Sequence, residues 1–151
     1  TLTMLYIGVG FNLFVQARTI GLGMILYLLL TVWCTDSGAY LIGRKLGKRK
    51  LASQISPNKT WEGSIGGTVV AVIVGVIFSL LGAINHGVVA TVLFSFVLSI
   101  AGQMGDLIES ALKRFYGVKD SGKILPGHGG ILDRFDSLLL VLPMAYLFGL
   151  L

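Results

Sequence analysis

Residues 110–136 read SALKRFYGVKDSGKILPGHGGILDRFD, a run holding five basic residues, three acidic residues, a histidine and five glycines between two apolar segments. Elsewhere charge is sparse: 54% of the chain is hydrophobic and only 13% is charged, and the mean hydropathy is +0.85. A chain this apolar that concentrates its ions in one stretch reads as a membrane bundle with a polar site at the membrane surface. Working outward, five apolar stretches are visible, at 2–16, 20–42, 64–84, 88–105 and 135–151. They predict an all-α, polytopic transmembrane helical bundle of about five spans, forming a single membrane-embedded domain over 1–151. Several stretches fall near or below the roughly 20 residues that cross a bilayer core, so tilting or extension into the interface is expected. The chain opens on Thr1 inside an apolar segment and is expected to be the C-terminal portion of a longer protein.

The positions of the charges decide what the net charge of +5 means. Eleven of the twelve basic residues lie between Arg44 and Lys59 or between Lys113 and Arg134. Basic clusters flanking apolar spans mark the cytoplasmic side of a membrane and attract anionic headgroups and nucleotide phosphates; nucleic acid is not the expected partner. The connection Asn85-His86-Gly87 and the turn around Arg18 then lie on the opposite side. Cys34 is the only cysteine, which excludes an internal disulfide and a multi-cysteine metal site. Trp33 and Cys34 read as lipid-facing or packed, and His86 as solvent-exposed.

Two helical stripes organise the third and fourth spans. Gly63, Gly67, Ala71, Gly75 and Ser79 recur every four positions, a groove in which another backbone can approach closely. Thr91, Ser95, Ser99, Gly102 or Gln103, and Asp106 share a face of the fourth span, which continues to Glu109, Ser110, Lys113 and Arg114. Polar groups inside a bilayer face partners or water, so this face is expected to line a cavity.

Three constellations carry chemistry. In the second span, Asp36 precedes Ser37, Tyr40 and Arg44; an intramembrane carboxylate is a functional candidate by default, and an ion pair with Arg44 or a lysine of the following loop is the competing account. In the second constellation, Ser56-Pro57-Asn58-Lys59-Thr60-Trp61-Glu62-Gly63, Thr60 is expected to cap a helix starting near Glu62. Free N–H groups at that helix start beside Lys59 would form an anion site; a capped helix with a solvated lysine is the bland alternative. By contrast Lys48, Arg49 and Lys50 have no visible anchor and are assigned to topology and headgroups.

The third constellation is the opening run, entered from Asp106. Asp106, Asp133 and Asp136 converge from two segments and suit Mg²⁺ held partly by protein and partly by phosphate oxygens. An ion-pair network with Lys113, Arg114, Lys119, Lys123 and Arg134 is the alternative. Against it stand the glycines of Pro126-Gly127-His128-Gly129-Gly130, which would expose backbone amides to a ligand, and the placement of all seven acidic residues in or beside these constellations. His128 stands either against a phosphate or in solvent.

These residues resemble the phosphatidate cytidylyltransferase, or CDP-diacylglycerol synthase, family. The resemblance rests on Ser110-x-Leu112-Lys113-Arg114, Lys119-Asp120, Leu125-Pro126-Gly127-His128-Gly129-Gly130 and Asp133-Arg134-Phe135-Asp136. It is supported by Asp36-x-x-Ala39-Tyr40 with Gly43-Arg44, and by Ser56-Pro57-x-Lys59-Thr60-Trp61-Glu62-Gly63. It implies the reaction of CTP with phosphatidate to CDP-diacylglycerol and pyrophosphate, with Mg²⁺ required and room for a second cation.

Implied catalytic residues are Asp106, Asp133, Lys59, Asp36, Arg134 and His128. Substrate contacts fall to Ser56, Lys59, Thr60, Ser110, Lys113, Arg114, Lys119, Gly129, Gly130 and Arg134, and metal ligation to Asp106, Asp133, Asp136 and Asp36. The expected setting is an integral protein of the plasma or inner membrane with its site facing the cytoplasm; a homodimer is left open. A lipid kinase, or a cytidylyltransferase for another lipid phosphate, would use the same groups. An ion-coupled transporter would place its carboxylates nearer the midplane.

Overall fold

The computed structural model describes the backbone of residues 2–118 and 132–151, and the side chains of residues 7–118 and 135–151. The element order is α1 (Leu2–Ile20), α2 (Leu22–Leu46), β1 (Lys50–Ala52), β2 (Ser56–Thr60), α3 (Trp61–Leu80), α4 (Val88–Phe115) and α5 (Leu132–Leu147). Five helices therefore stand where five apolar stretches are read, with shifted ends. The first turn falls at Gly21, and Arg18 belongs to the last turn of α1. Helix α4 runs ten residues past the apolar stretch, to Phe115. Among the described residues, α2, α3 and α4 are long and apolar enough to cross a membrane, and α5 contributes a shorter apolar segment, Phe135–Leu147.

Burial is inverted relative to a water-soluble bundle. Ile65, Val69, Ile73 and Ile77 on α3, and Val89, Leu93 and Phe96 on α4, face outward, whereas Thr31, Thr35, Thr91, Ser95 and Ser99 are buried. This pattern suits a lipid solvent, in which interior polar groups must find partners within the protein. Tyr27 Oη and Ser95 Oγ stand 2.8 Å apart, Thr35 Oγ1 donates to Ser99 Oγ at 3.3 Å, and Ser99 Oγ donates to Thr68 Oγ1 at 3.2 Å. Gln103 Nε2 donates to Thr68 Oγ1 at 3.1 Å and to Ser99 Oγ at 3.2 Å, and the Ser64 hydroxyl donates to Gln103 Oε1. The stripe on α4 thus faces inward, as its period predicts. Its Thr91, Ser95 and Ser99 lie in the packed interior, and the cavity-lining members are Gln103 and Asp106. An apolar core joins α1, α2, α4 and α5 around Leu13, Tyr27, Leu28, Leu98, Leu138 and Val141.

The small-residue stripe on α3 serves two neighbours. A Cβ on Gly63 would stand 2.6 Å from the Ala39 carbonyl oxygen, and one on Gly67 would stand 2.6 Å from that of Thr35, so both glycines let α2 approach. Gly75 instead meets Thr91 and Ser95 of α4, and Ser79 Oγ donates to the His86 carbonyl at 3.2 Å. The cause is geometric: at 3.6 residues per turn, a strict four-residue step rotates by about 40° each time. A five-member stripe therefore swings across roughly 160° and passes from one partner to the next. His86 is half-buried, its ring edge-on to Phe94 at 5.4 Å, rather than solvent-exposed.

The segment between α2 and α3, expected as loop, contains an antiparallel β hairpin pairing Lys50 with Thr60 and Ala52 with Ser56 across an irregularity. Its strands lack alternating apolar residues. They are held from outside: Glu62 accepts from the backbone N–H of Lys48 at 3.1 Å and of Arg49 at 3.2 Å, and Arg114 Nε donates to the Ile55 carbonyl at 3.4 Å. The basic triplet at 48–50 thus has an anchor that its own sequence does not reveal.

Candidate active site at the hairpin end of the bundle

Thr60 links the hairpin to α3. Its backbone is extended, at φ −127° and ψ 154°, and its Oγ1 accepts from the Gly63 N–H at 3.1 Å, the expected N-cap placed one residue before Trp61. A Cβ on Gly43 would stand 2.8 Å from Thr60 Oγ1; the missing side chain lets the cap sit against the C-terminal part of α2. The contact fixes β2, and hence Lys59, relative to Asp36 on α2.

Lys59 Nζ stands 2.6 Å from Asp106 Oδ2, both side chains partly exposed. The Ser110 hydroxyl donates to Asp106 Oδ1 at 3.3 Å. Lys59 and Asp106 line a cavity of about 260 Å³ together with Asp36, Tyr40, Ser56 and Asn58. Asp36, Lys59, Ser56, Thr60 and Asp106, all singled out in the sequence, are therefore brought together from α2, the hairpin and α4. No ion pair joins Asp36 to Arg44 among the described residues; Asp36 instead lies within electrostatic reach of Asp106 and Lys59.

Asp136 approaches from α5. Gly105 makes this possible, since a Cβ there would stand 2.9 Å from the Asp136 carbonyl oxygen and 3.2 Å from Ser137 Cα. Asp136 Oδ1 accepts from the Ser137 N–H at 2.6 Å, and the carboxylate lies against Glu109 and within electrostatic reach of Asp106 and Asp36.

Other expected contacts take different places. Lys113 pairs with Glu109 at 2.6 Å, one helical turn along α4, and Arg114 reaches the hairpin turn at Ile55. Neither lines the cavity. The start of α3 was expected to offer free amides to an anion. Those of Trp61 and Gly63 are instead taken by the Arg49 carbonyl and Thr60 Oγ1, and the acidic Glu62 itself stands in this first turn. Among the described residues, positive charge at this wall of the cavity comes from Lys59. Lys119, His128, Gly129 and Gly130 lie outside the described residues, as do the side chains of Asp133 and Arg134.

Sequence reasoning missed Asn58 and Ser64, which also line the cavity. Asn58 stands next to Lys59 in a β strand, and Ser64 lies one turn into α3, on the same side as Gln103. The hydroxyl-to-amide contact between Ser64 and Gln103 spans 39 residues and leaves no local signal.

The donors grouped here are oxygens, without cysteine or histidine, which fits a hard divalent cation rather than a soft one. Among the described residues, Asp36 and Asp106 flank the ammonium of Lys59, and Asp136 lies within electrostatic reach of both carboxylates, an oxygen-rich group of the kind such a cation would neutralise. Among the described residues, no three His, Cys, Asp or Glu side chains stand at ligand spacing.

A lysine and aspartates thus frame a polar cavity at one end of membrane-length helices. A family model described as the cytidylyltransferase family matches residues 1–151. The chain belongs to the cytidylyltransferase family. It is 53% identical over 149 residues to the phosphatidate cytidylyltransferase of Bacillus subtilis (strain 168), covering 97% of this chain and 55% of that protein. It is 52% identical over 143 residues to the phosphatidate cytidylyltransferases of Staphylococcus haemolyticus (strain JCSC1435) and Staphylococcus aureus (strain COL), in each case covering 95% of this chain and 55% of the relative. The chain thus spans about half the length of the curated relatives it matches.

Proposed function

We propose that this chain forms the catalytic portion of an integral-membrane nucleotidyltransferase that converts CTP and phosphatidate into CDP-diacylglycerol and pyrophosphate. The observation that carries the reading is the cavity in which Asp36, Lys59 and Asp106 meet at the hairpin end of the bundle. A phosphate oxygen of the lipid attacks the α-phosphorus of CTP. The bond from that phosphorus to the oxygen bridging the α- and β-phosphates breaks, and its electron pair leaves with pyrophosphate. The attacking group is itself an anionic oxygen, so no serine, cysteine or histidine nucleophile is required, and the work of the protein is positioning and charge neutralisation.

Lys59, steered by Asp106 and carried on a strand anchored through Thr60, presents its ammonium to a phosphate oxygen. Tyr40, Ser56 and Asn58 supply hydrogen-bonding groups on the same wall. Asp36, Asp106 and Asp136, with Asp133 by resemblance, are the residues that would hold Mg²⁺, which when bound neutralises triphosphate charge. Arg134 and His128 join the phosphate contacts on the grounds of the sequence motifs and the resemblance. The clustering of basic residues at 44–59 and 113–134 of the sequence supports a cytoplasmic orientation for this site, where CTP is available while the lipid arrives from the bilayer.

The test is incubation of the full-length protein with phosphatidate, Mg²⁺ and CTP labelled at either the α- or the γ-phosphate. Label from the α-position in a liponucleotide, with matching release of pyrophosphate, is the expected result. Transfer of γ-label to a lipid would assign a kinase instead, and no transfer to lipid from either position would overturn the reading.

A further inference from the structure

The polar cavity does not end at Ser64 and Gln103. These two residues, with Leu51, also belong to the wall of a second cavity of about 600 Å³ that runs along the outer seam between α3 and α4. From Leu51 and Trp61 this seam descends past Ile65, Val69 and Ile73 on α3, and past Met104, Ile100 and Phe96 on α4. The two helices run antiparallel here, as the Ser64–Gln103 and Thr68–Ser99 contacts require. Ile73 lies twelve steps along α3 from Trp61, so the groove is roughly 18 Å long at 1.5 Å per residue. One leaflet of a bilayer core is about 15 Å deep, half of its roughly 30 Å thickness.

Its chemistry changes along its length. The polar end holds the Ser64 hydroxyl and the Gln103 amide, which are bonded to each other, and Gln103 also bonds Thr68 and Ser99. The hydroxyl of Thr68 is engaged with the Ser64 carbonyl at 3.0 Å. Polar atoms at the groove's inner wall thus have partners within the protein, and the remaining lining is aliphatic or aromatic. Among the described residues the groove is open laterally: Ile65, Val69 and Ile73 are 62%, 53% and 53% exposed. A molecule with a charged head and a long apolar tail could enter sideways from the lipid, with its head toward Lys59 and Asp106.

We propose that the α3–α4 groove holds one acyl chain of the lipid phosphate substrate, with Ser64 and Gln103 marking the boundary between headgroup and tail. The assignment rests on the lipid-phosphate reading of the polar cavity and adds to it the path of the chain and the residues that limit its length. Val69 lies midway along the groove and Ile73 at its deep end opposite Phe96. A bulky side chain at Ile73 shortens the accommodated tail from the bottom, and one at Val69 shortens it further.

The experiment compares full-length wild-type, Ile73→Trp and Val69→Trp proteins on dihexanoyl, dioctanoyl and dioleoyl phosphatidate at saturating CTP. The ratio of kcat/KM for dioleoyl over dihexanoyl lipid is expected to fall at least tenfold in both variants. Dioctanoyl lipid should be discriminated against by Val69→Trp but not by Ile73→Trp. Leu93→Trp, an outward-facing change outside the groove, should leave the ratio within twofold of wild type. If a tryptophan variant does not accumulate in membranes, Ile73→Phe reports the same ratio. Equal losses on all lipids would mark the groove as a contact for another protein segment or a second copy and overturn the assignment, as would an unchanged ratio.

A second measurement is independent of turnover: phosphatidate with a photoactivatable group midway along one acyl chain is crosslinked to the wild-type protein in phosphatidylcholine vesicles. Label on residues 65–73 or 96–104, competed by phosphatidate but not by added phosphatidylcholine, supports the groove even if no liponucleotide is formed. Label elsewhere, or label competed equally by both lipids, overturns the groove and leaves the catalytic reading to its own assay.

Discussion

Toward α2, helix α3 presents Gly63, Gly66 and Gly67, and a Cβ on either Gly63 or Gly67 would stand 2.6 Å from a backbone carbonyl oxygen of α2. Toward α4, the same helix presents Ser64, Ile65, Thr68 and Val69, and a cavity of about 600 Å³ remains along the outer seam. In a lipid solvent, helices associate through van der Waals contact and interhelical hydrogen bonds, since burial of apolar surface gives little advantage over lipid tails. Glycines permit the first kind of contact, and the Ser64–Gln103–Thr68–Ser99 network supplies the second. The closed face is therefore the more tightly packed one, and it holds Thr60 and Lys59 near Asp36. The α4 face joins at its inner edge by hydrogen bonds while its outer edge stays open.

The largest expected effect comes from the polar site that the closed face positions. Asp106→Asn removes the charge that pairs with Lys59 and should lower turnover by about 10²–10³, the scale seen for loss of a group that stabilises transition-state charge. The folded protein should be retained, as checked by its thermal unfolding in detergent; wild-type turnover in this variant would detach Asp106 from the chemistry.

Next comes the closed face itself. Gly67→Leu forces a side chain onto the Thr35 carbonyl and should cost about 1–3 kcal/mol or more, the range for overpacking. It should depress both thermal stability and activity. Val69→Leu, two residues away on the open face, should change stability by no more than about 0.5 kcal/mol. Equal effects from the two would erase the distinction between the faces.

Smaller effects sharpen it. Thr60→Ala removes the cap bond to the Gly63 N–H and should cost about 1 kcal/mol, with weaker binding of CTP as Lys59 loses its fixed strand. Gln103→Leu removes the hub of the network on the α4 face. Interhelical hydrogen bonds in membranes average about 0.6 kcal/mol each, so a fall of that order per lost bond is expected in reversible unfolding. A loss of several kcal/mol would show that the α4 face is as tightly held as the α2 face.

Much of this organisation is legible in the sequence because it depends on local periodicity and composition. Apolar stretches locate the five helices of the described residues. The four-residue stripe on α4 identifies its inward face, since Thr91, Ser95 and Ser99 are costly in lipid without partners. Thr60 declares the start of α3 because its hydroxyl can satisfy an amide three residues on. Other features escape such reading. Lys50-Leu51-Ala52 and Ser56-Pro57-Asn58-Lys59-Thr60 have little strand propensity and pair because Glu62 and Arg114 hold the hairpin from outside. The amide of Trp61 at the start of α3 looks free until the Arg49 carbonyl is seen to occupy it.

By itself, then, the sequence determined the membrane class, the helical bundle, the family and the short set of carboxylates and cations from which a site could be made, because hydropathy, period and motif spacing are properties of neighbouring residues. Which cation meets which carboxylate was decided only in three dimensions. Lys59 is 47 positions from Asp106 and could equally have faced Asp36, while Lys113 turns to Glu109 on its own helix. The difference between a closed and an open face of α3 was decided there too. It depends on how far a four-residue stripe rotates around a 3.6-residue helix and on where a neighbouring backbone lies when the glycines run out.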